Sequence, residues 1–236
     1  MSNMRRHTLQ LTCLGLLLLG ATDSASSQVG HAPGSSPYRD LRGKYFLTLT
    51  GGYSWGSGGK VNVGPAHGPV FGPRLDIHLA GPGAVHFGLN WAHLDRQMID
   101  PSAEPENRLV ETAKQTVIMA DLGLYLVFTG EKTWHGVAPY FGASLGLALG
   151  GKVAGDTLSA FGFSTKFMVS PQLGFRWHPG GRLFVRFEAR DVLWKLSYPS
   201  QFFEADPPVL DPAVNKASEW THNPMLTVSL GFSLGR

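Results

Sequence analysis

The stretch that most constrains the fold is the last one, Pro224 to Leu234. Leu226, Val228, Leu230, Phe232 and Leu234 alternate with Thr227, Ser229, Gly231 and Ser233. Successive side chains of a strand point to opposite faces, so one face is wholly apolar and the other small and polar. The same period-2 pattern recurs along the chain, about eight strands in all. Apolar segments placed in hydrocarbon must satisfy every backbone donor and acceptor internally, which strands achieve only in a closed ring. The pattern therefore predicts an all-β fold, an eight-stranded antiparallel up-and-down transmembrane β-barrel with its apolar face outside.

Composition agrees with a barrel and excludes other classes. Glycine is abundant at 30 of 236 residues, and only 16% of residues are charged. No apolar run outside the N-terminus is long enough for a membrane-spanning helix. The net charge of +3 is modest and the basic residues are scattered, which argues against nucleic-acid binding. The only cysteine, Cys13, falls inside the N-terminal apolar segment, so a processed chain has no thiol.

Residues 1–27 read as a secretory signal. Arg5 and Arg6 supply the positive region, Leu9 to Leu19 the apolar core, and Ala25-Ser26-Ser27 a small-residue cleavage site. The apolar core continues past Cys13, which is therefore no lipid-attachment site. Residues 28–43, rich in Gly, Pro and Ser, are expected to be a flexible lead-in, and 44–236 the barrel.

Eight strands are expected: Lys44–Trp55, Val70–Ala80, Val85–Leu94, Gln115–Phe128, Val137–Leu149, Phe161–His178, Leu183–Leu196 and Pro224–Leu234. The connections alternate long and short. Gly81-Pro82-Gly83 and Pro179-Gly180-Gly181 are tight turns. Gly56–Gly68, Asp95–Ala113, Gly150–Ala160 and Ser197–Asn223 are the long loops. An even strand count with this rhythm puts both termini at the short-turn end. Parity breaks once: after the outward set Leu183, Val185, Phe187 and Ala189 comes Asp191, and beyond it Val192, Trp194 and Leu196 look like the apolar set. A β-bulge near Asp191, or an Asp191 at headgroup level, would account for it.

The mature chain resembles the small outer-membrane β-barrels of Gram-negative bacteria, the OmpA- and OmpX-like group. The resemblance rests on the signal, the alternating strands, the loop rhythm and the aromatics. Trp55, Trp91, Trp194 and Trp220 fall near outer strand ends, and Tyr45, Phe128 and Trp177 near inner ends, like the two girdles of such barrels. It implies an integral outer-membrane location with periplasmic termini, contact with outer-membrane lipids, and insertion by the barrel-assembly machinery. The usual aromatic terminal residue is replaced here by Gly235-Arg236 after Phe232.

The polar face carries Arg74, Asp76, His78, Asp121, Lys166, Arg176, Arg186, Glu188 and Arg190. An eight-stranded lumen is only wide enough for side chains to fill it, so these charges must pair. Asp76 and Arg186 are expected at similar depth, with Asp121 nearer Glu188 and Arg190. The favoured reading is a structural lumen network in a barrel with a structural or surface-binding role; the alternative is a narrow ion or solute path. A soluble lipocalin-like carrier would need the Leu, Phe and Val of all strands inside, which overfills so small a lumen. No enzyme is expected: His93 and His222 lie in the zone used by barrels that modify lipid A acyl chains, but no local motif supports them. No cofactor or metal site is expected, since His67, His93, His135 and His222 are isolated. The sequence names no surface ligand.

Overall fold

A computed structural model describes residues 36–41, 43–151, 153, 156 and 158–235. The expected signal 1–27, Cys13, and Gln28 to Ser35 of the lead-in lie outside the described residues. Among the described residues ten strands occur in chain order: β1 (Tyr38–Asp40), β2 (Tyr45–Trp55), β3 (His67–His78), β4 (Gly83–Ile99), β5 (Leu109–Val127), β6 (Lys132–Trp134), β7 (Val137–Gly150), β8 (Ser164–Gly180), β9 (Leu183–Ser197) and β10 (Ser218–Leu234). Eight of them form a closed antiparallel ring, β7-β5-β4-β3-β2-β10-β9-β8, with β8 returning to β7. The first and last barrel strands meet in a continuous ladder from Met225↔Ser54 to Leu234↔Tyr45.

The tight turns and the Tyr45 and Leu234 ends of the first and last barrel strands lie at one end of the ring, the terminus end. The long connections lie at the other, the loop end. Within the expected lead-in, β1 pairs with β6 (Tyr38↔Trp134), and Leu41 N–H donates to the Glu131 carbonyl at 2.7 Å. The β6–β7 turn is His135-Gly136, both with positive φ, the conformation whose twist suits a two-residue hairpin.

The outward phase is apolar on every wall of the ring. Leu49, Leu122, Leu124, Leu173 and Leu230 are among its exposed residues, while Phe46, Thr48, Arg74 and Asp76 point in and are buried. Tyr45 and Trp177 are exposed near the terminus end, and Trp55 and Trp220 near the loop end. Trp91 lies mid-strand in β4 and stacks on Phe71, ring centroids 6.1 Å apart.

Three expectations are corrected. Asp95–Ala113 is not all loop: β4 and β5 stay paired up to Ile99↔Leu109, and only residues 100–108 connect them. There is no bulge at Asp191, because β9 and β10 pair without a shift from Ser197↔Ser218 to Leu183↔Phe232. Asp191 simply stays outside, where it bonds His222 Nδ1 at 2.6 Å and accepts the Asn223 N–H at 2.9 Å. Trp194, in consequence, is not an interface aromatic. It points inward and is 1% exposed, and its neighbours Val192 and Leu196 are buried with it. Phe163 is buried beside it, because β8 starts only at Ser164 and positive φ at Ala160 and Ser164 turns the preceding segment inward.

Inward glycines let the walls approach. A Cβ on Gly72 would sit 2.0 Å from the Leu89 carbonyl oxygen, whereas one on outward Gly51 would meet nothing. Gly72→Ala is expected to destabilise by about 1–3 kcal/mol through overpacking. Gly51→Ala is expected to be neutral or to stabilise by up to about 1 kcal/mol by restricting the unfolded chain. Urea unfolding in lipid vesicles measures both.

Candidate functional site

Strand alternation sends one residue in two into the lumen, and the lumen divides into two layers. Toward the terminus end it is charged. Arg74 lies between two carboxylates: Nε donates to Asp76 Oδ1 at 3.0 Å and Nη1 to Glu188 Oε2 at 2.7 Å. Arg186 Nη2 donates to Asp76 Oδ2 at 2.5 Å. The Tyr140 hydroxyl donates to Glu188 Oε2 at 2.7 Å. Farther toward the loop end, Asp121 Oδ2 accepts from Arg190 Nη2 at 3.1 Å and lies 3.2 Å from His86 Nε2. Arg176 Nη2 contacts His78 Nε2 at 2.7 Å. Eight of the nine residues anticipated on the polar face are buried and converge here; the ninth, Lys166, is only half-buried and has no part in these bonds.

Sequence parity puts Tyr125, Tyr140 and His86 on the inner face but does not show that they, with His178, complete the layer. Their partners come from strands far apart in the chain, and period 2 reports a face, not a neighbour.

Toward the loop end the lumen is apolar. Val70, Leu94, Met119, Met168, Val192 and Trp194 point in from the strands, and Val63, Phe161, Phe163, Phe202 and Leu210 fold in from the connections. Trp194 meets Phe163 edge to face, ring centroids 5.2 Å apart. A short helix, α1 (Gln201–Glu204), carries Phe202 into this plug. This layer was not anticipated.

Polar ties hold the connections over the plug. Lys60 N–H donates to Glu219 Oε1 at 2.7 Å and to the Tyr198 hydroxyl at 3.0 Å, and Lys60 Nζ to Asn215 Oδ1 at 2.6 Å. The Tyr198 hydroxyl in turn donates to Glu219. Burial and that carboxylate push its pKa well above the ordinary phenol value, so it stays a donor. Arg96, buried over the Phe161 ring, donates to Asp156, which also accepts from Ser159 Oγ at 2.6 Å. Arg108 donates to the Pro207 and Pro208 carbonyls.

The histidines considered for lipid chemistry are on the outer wall, apart from one another. His93 Nδ1 bonds the Thr116 hydroxyl at 3.0 Å on β4–β5, and His222 bonds Asp191 on β9–β10. Neither pair includes a serine. Among the described residues no group of three or more His, Cys, Asp or Glu could hold a metal ion.

The closed eight-strand ring recurs in solved structures. The outer membrane protein OprG from Pseudomonas aeruginosa matches over 84% of this chain and 99% of its own, with a TM-score of 0.51 at 13% identity. The fold is that of the small outer-membrane β-barrels. The neisserial surface protein A, NspA, matches over 84% of this chain and 98% of its own, with a TM-score of 0.44 at 12% identity. The N-terminal barrel domain of Pseudomonas aeruginosa OprF matches over 81% and 100%, with a TM-score of 0.44 at 11% identity. No family model matches the sequence, and no curated protein does.

Two mutational contrasts follow from the layers. Asp76→Ala strips Arg186 of its only carboxylate and Arg74 of one of two, and is expected to cost about 3–5 kcal/mol. Arg186→Ala is expected to cost less, because Asp76 keeps Arg74. Trp194→Ala is expected to cost about 3–5 kcal/mol through the cavity it leaves in the plug, and exposed Trp220→Ala much less. Equilibrium unfolding in lipid vesicles, followed by tryptophan fluorescence or circular dichroism, checks each pair.

Proposed function

We propose that the protein is an integral outer-membrane barrel with periplasmic termini. It does no catalysis, it does not conduct, and it offers its tied loop end as a surface for binding outside the cell. One observation carries this reading: the outer wall is apolar around the ring while the lumen is filled from one end to the other. An apolar exterior is stable only against lipid; in water it would be an aggregation surface far larger than soluble monomers tolerate. The same inside-out distribution speaks against a carrier of apolar ligands in solution. Paired charges at the terminus end and a packed apolar plug at the loop end leave no continuous water column. That supports a structural or recognition role over a channel.

The loop end supports recognition because its connections are cross-tied rather than free. Residues 56–66, 100–108 and 198–217 share the Lys60–Tyr198–Glu219 and Arg108–Pro207 ties. A surface held in one arrangement loses little conformational entropy on binding. The lipids of the outer membrane and the barrel-assembly machinery are the partners this reading requires, and it needs no cofactor.

Fractionation of expressing cells is expected to place the protein in the outer membrane, with a folded form that migrates differently on gels before and after boiling. In planar bilayers the purified barrel is expected to show no steady conductance; large, stable channels would overturn the plugged reading. Leu122→Arg, which puts a charge on the exposed wall, is expected to cost about 2–4 kcal/mol near mid-bilayer. A cost near zero in vesicles would reject lipid contact at that wall.

A further inference from the structure

Buried cations outnumber buried anions in the charged layer. Among the described residues, Arg74, Arg176, Arg186 and Arg190 face only Asp76, Asp121 and Glu188. The surplus falls on Arg176. It is 0% exposed, and the ion pairs of the layer join the other three arginines to the three carboxylates without it. Its Nη2 donates to His78 Nε2, so that ring nitrogen carries no proton and His78 is neutral in this arrangement. Its guanidinium lies over Phe46, 4.6 Å from the ring centroid. Its Nε and Nη1 have no protein acceptor.

Arg186 stands directly opposite Arg176 on the neighbouring strand. Like charges in that position repel. Arg186 Nη2 is committed to Asp76, yet its Nε and Nη1 also have no protein acceptor. The Tyr125 hydroxyl and His178 Nε2 are unpartnered as well. Tyr125 packs 5.6 Å from the Arg176 guanidinium, and His178 shares its face two residues along β8. Buried polar atoms of Arg176, Arg186, Tyr125 and His178 thus lie close together without a hydrogen-bond partner among the described residues, and none of the layer's three carboxylates pairs with Arg176. Water could fill the hydrogen-bonding role but leaves the charge uncompensated, and an uncompensated buried charge is costly.

We infer that the lumen binds one small monovalent anion, of the size of chloride, between Arg176 and Arg186. The charge count sets the valence and the side-chain filling sets the size. Entry is from the terminus end. His78, which touches Arg176, lines an open depression of about 540 Å³ together with Lys44 and Lys132. His178 lines a second, of about 190 Å³, with Arg39. Both depressions border the Arg39–Leu41 segment; Asp40 lines both and Glu131 the larger one, so in each the cations are matched by carboxylates, and the selectivity for an anion lies with the buried guanidinium groups. The apolar plug blocks passage to the loop end, so the ion is bound and not transported.

The test is thermal unfolding of the refolded barrel at constant ionic strength, with chloride or bromide exchanged for a bulky organic anion. The midpoint is expected to rise with the logarithm of halide concentration in the wild type. Arg176→Met, which keeps the stem and removes the charge, is expected to abolish that dependence. Crystals grown in bromide are expected to show an anomalous peak between the two guanidinium groups, a readout that holds even if the variant does not refold. No halide dependence with no bromide peak overturns the proposal and leaves the donors to water. A halide dependence retained in Arg176→Met overturns it too, since the ion then binds elsewhere.

Discussion

Closure of the ladder by β2 and β10 is the constraint on which the rest depends. An open sheet of this composition would present an unpaired edge and an apolar face together, and neither is tolerated in hydrocarbon. Once Leu234 reaches Tyr45 and Met225 reaches Ser54, the ring has no edge. The strands can then carry an apolar exterior, because backbone polarity is satisfied within the wall. Small inward residues such as Gly72 and Gly231 make the closure geometrically possible, since a side chain there would run into the neighbouring wall or into Phe184.

A closed ring creates an interior that must be filled, and the chain fills it in two ways. Near the termini it uses arginines and carboxylates, with guanidinium groups reaching across the lumen to carboxylates from other strands. Such pairs gain little net stability over apolar packing, but removing one member is strongly destabilising. They therefore fix the relative height of β3, β5 and β9 more than they raise stability. Near the loops the chain uses Trp194, Phe163, Met168 and Phe202, which pack as a soluble protein core would. The connections are then held by what they bury, and the ties through Lys60, Arg96 and Arg108 settle their orientation.

The layers explain which parts of the structure were legible in the sequence. The ring, its strand count and the inward placement of Arg74, Asp76 and Arg186 follow from period 2, because a strand between lipid and a polar lumen displays maximum contrast. The contrast fails where the media change. In β9 the outside becomes interfacial at Asp191 and Lys195 just as the inside becomes apolar at Val192 and Trp194. The apolar phase inverts with no slip of register, and a bulge is the natural misreading. In the β4–β5 extension both faces leave hydrocarbon, so Asp95, Gln97, Thr112 and Lys114 face outward and the alternating signal vanishes while the ladder continues. Which arginine meets which carboxylate was only partly foreseeable, since depth follows from strand direction but contact depends on side-chain reach across the lumen.

The small ladder of β1 on β6 has a mechanical meaning. β6 adjoins β7, whereas β2, the strand that follows β1, lies farther around the ring past β5, β4 and β3. Asp40 and Tyr45 therefore lie on different sides of the mouth, with Leu41 packed on the cluster of Tyr125, Val127 and Tyr140. Traction applied upstream of Ser36 would load three residue pairs on one side of the rim before any barrel strand felt it. The arrangement works as a strain relief: a tethered load would peel a replaceable clip, and the seam between the first and last barrel strands would stay shut.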